Sequence, residues 1–142
     1  SVLNALKTVN ATEDSLVLVH DGVRPCLRFE DIKALVTVLD AHPVGGCLAV
    51  PVRETVKRVN RDDVVATLDR SQLWLAQTPQ VFRFGILKQA LTQFPDSTDE
   101  ASAIEQLGLQ PRVVQGHSDN IKITTGEDLV MAEVILKSRG RS

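Results

Sequence analysis

Two short, unbroken apolar runs set the tightest limit on how this chain folds. They are Ser15-Leu-Val-Leu-Val-His20 and Cys47-Leu-Ala-Val-Pro-Val52. Each is too short for a core helix and too uniformly apolar for a half-exposed strand, so both predict buried strands. Between them, Ile32, Leu35, Val36 and Leu39 recur at i, i+3, i+4 and i+7. That spacing puts one apolar face on a helix over Glu30 to Ala41. Pro43 and the pair Gly45-Gly46 end it. A strand, loop, helix and strand within the first 52 residues predict an α/β fold with a parallel sheet.

The rest of the chain fits one domain of 142 residues. Ser1 to Val9 reads as an amphipathic helix. Residues 52–70 contain a loosely alternating hairpin around Asn60-Arg-Asp-Asp63. The hairpin has few large apolar side chains, so it is expected to project as an arm and pack on a partner. Leu73 to Ala76 reads as a strand, with Gln77-Thr-Pro-Gln80 as a loop and Trp74 as a core residue. Phe84 to Phe94 reads as a helix. Ser97 and Glu100 suggest a capping box for a helix that Gly108 closes. Arg112 to Gln115 reads as a strand and Asn120 to Thr124 as a short extended piece. Thr124 with Glu127 suggests a second capping box before a last helix.

Composition excludes several classes. Hydrophobic residues are 43% and charged residues 24%, which fits neither a disordered tail, a collagen repeat nor a coiled coil. No apolar run nears the roughly 18 residues of a membrane span, and no leader pattern opens the chain. A net charge of −2 argues against bulk binding to nucleic acid or an anionic membrane. Two cysteines, Cys26 and Cys47, are too few for a disulfide framework, so a reducing cytoplasm is expected.

Five segments carry groups suited to chemistry. Val19-His-Asp-Gly-Val-Arg-Pro25 follows a strand, where α/β sheets bind ligands. Asp21 there suits a divalent cation, Gly22 allows close approach of a ligand to the backbone, and Arg24 offers a fork for phosphate. An ordinary strand-to-helix turn with an ion pair is the plainer alternative. Arg53, Lys57 and Arg58 at the hairpin concentrate positive charge, but taken by themselves they read more readily as a charged edge that resists aggregation. Arg70 is a phosphate-type donor at the hairpin's end, and Thr78 precedes Pro79, which holds it extended. Ser97 to Ser102 is a helix N-terminus that either binds an anion or is simply capped. Lys122 sits in an apolar extended piece, where it either snorkels or points at an anion. His20, His42 and His117 lack metal-ligand spacing, and no nucleophile elbow or Walker loop occurs. Cations, threonines and one acid suit phosphoryl or nucleotidyl transfer, where positioning and electrostatics dominate.

The ordered blocks VHDGVRP (19–25), PVRETVKRV (51–59), LDRSQLWLAQTPQVF (68–82), TDEASAIEQLG (98–108) and DNIKITTGEDLVMAE (119–133) resemble the 2-C-methyl-D-erythritol 4-phosphate cytidylyltransferases. The resemblance implies a Rossmann-like nucleotidyltransferase fold with a β-arm exchanged in a homodimer. It implies CMP transfer from CTP to methylerythritol phosphate, with Mg²⁺ and release of pyrophosphate. Asp21 would contact substrate and the metal, and Arg24 would order that loop and bind substrate. Thr55 and Arg70 would reach the neighbouring subunit's site. Thr78 and Thr98 would line the pocket, and Lys122 would stabilise charge on the α-phosphate. Relatives with two alanines at Gly22-Val23 mark a small departure.

A larger departure is the family's glycine-rich loop, with an arginine and a lysine that cradle the triphosphate. It has no counterpart here. The chain is therefore expected to be a portion of a longer enzyme, with its opening helix packed on strands upstream. Two other functions fit the same blocks: a non-catalytic substrate-binding or dimerisation fragment, and a nucleotidyltransferase for another polyol phosphate.

Overall fold

The computed structural model describes residues 2–140. Its elements run α1 (Val2–Leu6), β1 (Leu16–Val19), α2 (Phe29–Asp40), β2 (Gly45–Pro51), β3 (Val56–Asn60), β4 (Asp63–Leu68), β5 (Trp74–Arg83), α3 (Phe84–Gln93), α4 (Glu100–Gln106), β6 (Arg112–Gln115) and α5 (Gly126–Ser138). No helix among the described residues is long and apolar enough to cross a membrane.

The protein is α/β, but the sheet is mixed rather than parallel. Its order is β1-β5-β2-β6, with β5 antiparallel to both β1 and β2 and only β2–β6 parallel. The cause is the hairpin. Strands β3 and β4 pair only with each other and carry the chain out and back. The Val52 amide donates to the Leu73 carbonyl at 3.0 Å, closing the base of the excursion. The chain therefore re-enters beside β2 in the opposite direction and separates β1 from β2.

The core lies on both faces of the sheet, and alternation along β5 divides it. Val81 faces Leu35 and Leu39 of α2, with Leu48 and Val114. Phe82 faces the other side, with Leu87 and Ala90 of α3 and Ala101, Ala103 and Ile104 of α4. The glycine pair that was expected to end α2 instead opens β2. Gly45 has φ of +119°, and a Cβ there would sit 2.1 Å from the Val81 carbonyl oxygen. At Gly46 a Cβ would sit 1.8 Å from the Arg112 carbonyl, so strand pairing on both sides of β2 requires glycine.

Several local expectations shift. Residues 77–80 are not a loop but the buried middle of β5. Trp74 is not core: it stays 38% exposed near the arm. Strand β1 lies at an edge of the sheet, so Leu18 is exposed rather than buried. The opening helix is shorter than expected, and Ser1 lies outside the described residues. Asn120 to Thr124 joins no ladder, although the Ile123 amide bonds the Val23 carbonyl at 2.8 Å. Asp99, not Ser97, caps α4. Its carboxylate accepts from the Ser102 amide at 2.7 Å, whereas the Ser97 hydroxyl turns back to the Phe94 carbonyl. Thr125 and Asp128, one residue beyond the expected pair, form the capping box of α5.

Candidate active site

The loop after β1, the middle of β5, the N-terminus of α4 and the segment before α5 converge on one cleft of about 470 Å³. Asp21, Arg24, Thr78, Thr98 and Lys122 all line it, so five of the residues singled out by sequence meet there. Asp21 Oδ2 lies 3.4 Å from Arg24 Nε and 3.6 Å from Lys122 Nζ. Two cations thus share one carboxylate oxygen. Asp99 and Glu100 at the start of α4 line the same cleft.

The loop is held by partners that sequence did not suggest. The Asp21 amide donates to Thr78 Oγ1 at 3.0 Å, and Thr78 Oγ1 also meets His20 Nδ1 at 2.9 Å. His20 Nε2 meets the Arg24 carbonyl at 3.0 Å. Arg24 Nη1 donates to the Asn120 carbonyl at 2.8 Å, and Asn120 Nδ2 donates to the Thr78 carbonyl at 2.8 Å. Asn120 is fully buried, which fixes the segment carrying Lys122 two residues later. Gln80 ties β5 to α4: its amide donates to Asp99 Oδ2 at 3.0 Å and accepts from the Ala101 amide at 3.0 Å. The one hint in the sequence was a pair of glutamines, Gln77 and Gln80, flanking Thr78-Pro79 within an otherwise apolar stretch.

Electrostatics divide the acidic wall. Burial works to raise the Asp99 carboxyl, but hydrogen bonds from Ser102 and Gln80 outweigh it and hold the group below its usual range. Burial raises Glu100, aided by the nearby charges of Asp99 and Asp21. No thiolate is at hand: Cys47 is buried and pushed up to about 11 by burial, and Cys26 is also raised by burial. Among the described residues no cluster of three His, Cys, Asp or Glu could hold a metal. The site therefore favours binding and charge stabilisation over attack by a protein nucleophile.

Other residues singled out by sequence lie elsewhere. Thr55 and Arg70 do not line this cleft: both are exposed on the arm segment. Arg70 Nη1 donates to the Arg53 carbonyl at the arm's base. Gly22 does not line the cleft either, and a Cβ there would meet open space.

The family model described as "IspD: 2-C-methyl-D-erythritol 4-phosphate cytidylyltransferase" matches residues 1–138. The chain belongs to this family. A curated 2-C-methyl-D-erythritol 4-phosphate cytidylyltransferase of Hahella chejuensis is 52% identical, over 96% of this chain and 60% of its own length. One from Dechloromonas aromatica is 49% identical, over 98% of this chain and 62% of its own length. The chain thus spans about three-fifths of these relatives. A crystal structure of a 4-diphosphocytidyl-2C-methyl-D-erythritol synthase superposes with a TM-score of 0.90 at 41% identity, over 95% of this chain and 65% of that one. The Francisella tularensis cytidylyltransferase superposes with a TM-score of 0.88 at 43% identity, over 96% of this chain and 66% of that one. The mixed sheet and its helices are therefore part of the cytidylyltransferase family's nucleotidyltransferase fold.

Proposed function

We propose that this cleft takes part in transfer of CMP from CTP to 2-C-methyl-D-erythritol 4-phosphate, a step of isoprenoid precursor synthesis. A phosphate oxygen of the acceptor attacks the α-phosphorus of CTP in line. The new P–O bond forms as the bond to the bridging β-phosphate oxygen breaks, and pyrophosphate leaves with the electron pair. Lys122, half exposed and 3.6 Å from Asp21, faces the negative charge that builds on the α-phosphate oxygens. Arg24 orders the loop and supplies a second cation. Thr78 and Thr98 line the pocket.

Mg²⁺ fits Asp21. Both cation contacts of that carboxylate fall on Oδ2, and Oδ1 has no protein partner among the described residues. One carboxylate oxygen suffices for an ion that fills its shell with water and phosphate oxygens. When bound it would offset charge on the triphosphate. The supporting observation is the convergence of Asp21, Arg24 and Lys122 on one cleft, in a chain of this family.

The arm belongs to the same proposal. Val59, Val64, Val65 and Leu68 leave it with apolar surface exposed, which suits a homodimer in which Thr55 and Arg70 serve the partner's cleft. Cys26 and Cys47 are both free and buried, in keeping with a cytoplasmic protein.

The test joins this chain to the part of the Hahella chejuensis relative that it does not span, and assays pyrophosphate release. Release should require both CTP and the acceptor and stop with EDTA. Release without the acceptor, or none with both present, overturns the reading. The exposed apolar surface of the arm favours one other reading, a binding or dimerisation piece without turnover. Calorimetry on the 142-residue chain with CTP and Mg²⁺ separates the two: affinity equal to that of the full-length relative contradicts a piece lacking the nucleotide clamp.

A further inference from the structure

We propose that His20 is a positioning residue, which donates its Nε2 proton to the Arg24 carbonyl, meets the Thr78 hydroxyl through Nδ1 and so closes a ring of hydrogen bonds beneath the cleft. The hydrogen-bond inventory fixes two of the three donors. The Arg24 carbonyl can only accept, so the 3.0 Å contact with His20 Nε2 requires a proton on that nitrogen. The Asp21 backbone amide can only donate, so Thr78 Oγ1 accepts from it at 3.0 Å. One contact remains, the 2.9 Å approach of Thr78 Oγ1 to His20 Nδ1. Either atom of that contact can be the donor, and both senses tie the loop to β5.

The ring then closes through Arg24 and Asn120. Arg24 Nη1 donates to the Asn120 carbonyl, and Asn120 Nδ2 donates back to the Thr78 carbonyl, both at 2.8 Å. The contacts run from Thr78 to His20, Arg24, Asn120 and back to Thr78, each residue reaching the next through its side chain. The ring joins three distant segments: residues 20–24, the middle of β5, and the stretch before α5. Asp21 hangs from the ring by its amide, and Lys122 follows Asn120 by two residues. The charged groups of the cleft are thus fixed by a framework that itself carries no carboxylate.

Thr78 Oγ1 accepts from the Asp21 amide and meets His20 Nδ1, so Thr78 anchors the Asp21 loop. His20 has the same standing: it acts through Thr78 and Arg24 and touches no reacting atom.

The inference rests on the cytidylyl-transfer reading for its kinetic readout only. Nitrogen-15 NMR of the histidine-labelled 142-residue chain tests the tautomer directly. We expect the His20 signals, identified by their loss in His20→Gln, to show a protonated Nε2. A His20 whose proton sits on Nδ1 alone overturns the proposal. In the family-length chimera, His20→Gln should keep kcat within about threefold, because an amide both accepts and donates. His20→Phe fills similar space without polar atoms and should lose about 10²-fold in kcat, as small misplacements of reacting groups do. Combining His20→Phe with Thr78→Val should cost no more than the worse single change, since both break one unit. Equal losses in the glutamine and phenylalanine variants, or additive losses in the double variant, would mean that His20 only fills space. If the unmutated chimera transfers no CMP, the cytidylyl-transfer reading fails, while the NMR result still decides the tautomer.

Discussion

Arg24 and Arg70, and likewise Thr78 and Thr55, are the same side chains in opposite circumstances. Arg24 is largely buried, with an acceptor at Asn120 and an acid at Asp21. Arg70 lies exposed, with only the Arg53 carbonyl as its side-chain acceptor. Thr78 is 8% exposed and its hydroxyl bonds two neighbours, whereas Thr55 stands in solvent on the arm. The polar groups of the cleft are held by partners within this chain. On the arm the two strands pair only with each other, and Val59, Val64 and Val65 are exposed. A polar residue held by buried partners is already positioned for chemistry, while one on the arm must gain its partners from elsewhere.

Four tests sharpen or break this contrast, in falling order of effect. Lys122→Ala in the family-length chimera should lower kcat by about 10²–10³-fold, the usual effect of removing one preorganised charge-stabilising donor. Its melting temperature should not move, because the side chain is half exposed. A variant that unfolds would make Lys122 structural.

Asn120→Ala should cost about 1–3 kcal/mol of stability, because it strips a buried carbonyl of its donor. Urea unfolding measures this, and a loss below about 0.5 kcal/mol, ordinary for surface changes, would mean the ring holds nothing.

Acid titration of stability reads the cleft's acidic wall. Hydrogen bonds hold Asp99 below its usual 3.8, so its contribution is complete above that value and is lost as the pH falls through and beneath it. Asp99→Asn should remove that acid-side loss. Glu100 runs the other way. Burial raises it above 4.5, so the fold favours its neutral form and loses stability as the pH rises past that value. Glu100→Gln should therefore melt higher than the parent at pH 7, and a lower melt would place an unseen partner on Glu100.

The smallest effect on stability belongs to the arm. Thr55→Ala and Arg70→Ala should each change unfolding free energy by less than about 0.5 kcal/mol, while the KM for the acceptor rises in the chimera. A large loss of stability would show that the arm is held within its own chain.

How much of this could be read from sequence depended on what each residue contacts. Helices α2 and α3 were plain because their apolar spacing is local. The antiparallel insertion of β5 was not, because it follows from where the arm returns the chain. Residues 77–80 read as a loop because glutamine, threonine and proline favour turns. Their burial depends on partners far along the chain: His117 for Gln77, and Asp99 with Ala101 for Gln80. Asp21, Arg24, Thr78, Thr98 and Lys122 stood out by type and by likeness to the family. His20 and Asn120 did not, since a lone histidine or asparagine gains meaning only from neighbours about 60 and 40 residues away.

The proposed division between a cleft held within its own chain and an arm that serves another copy can be tested by mixing two weakened proteins. The Lys122→Ala and Arg70→Ala chimeras would be unfolded together, refolded as one pool, and assayed for CMP transfer. In a two-fold dimer with exchanged arms, each hybrid has one cleft with both changes and one with neither. Random reassociation then restores about a quarter of the unmutated sites, and activity rises well above either parent. A pool no more active than the average of its parents would contradict the account, because it would place Arg70 and Lys122 at the same chain's site.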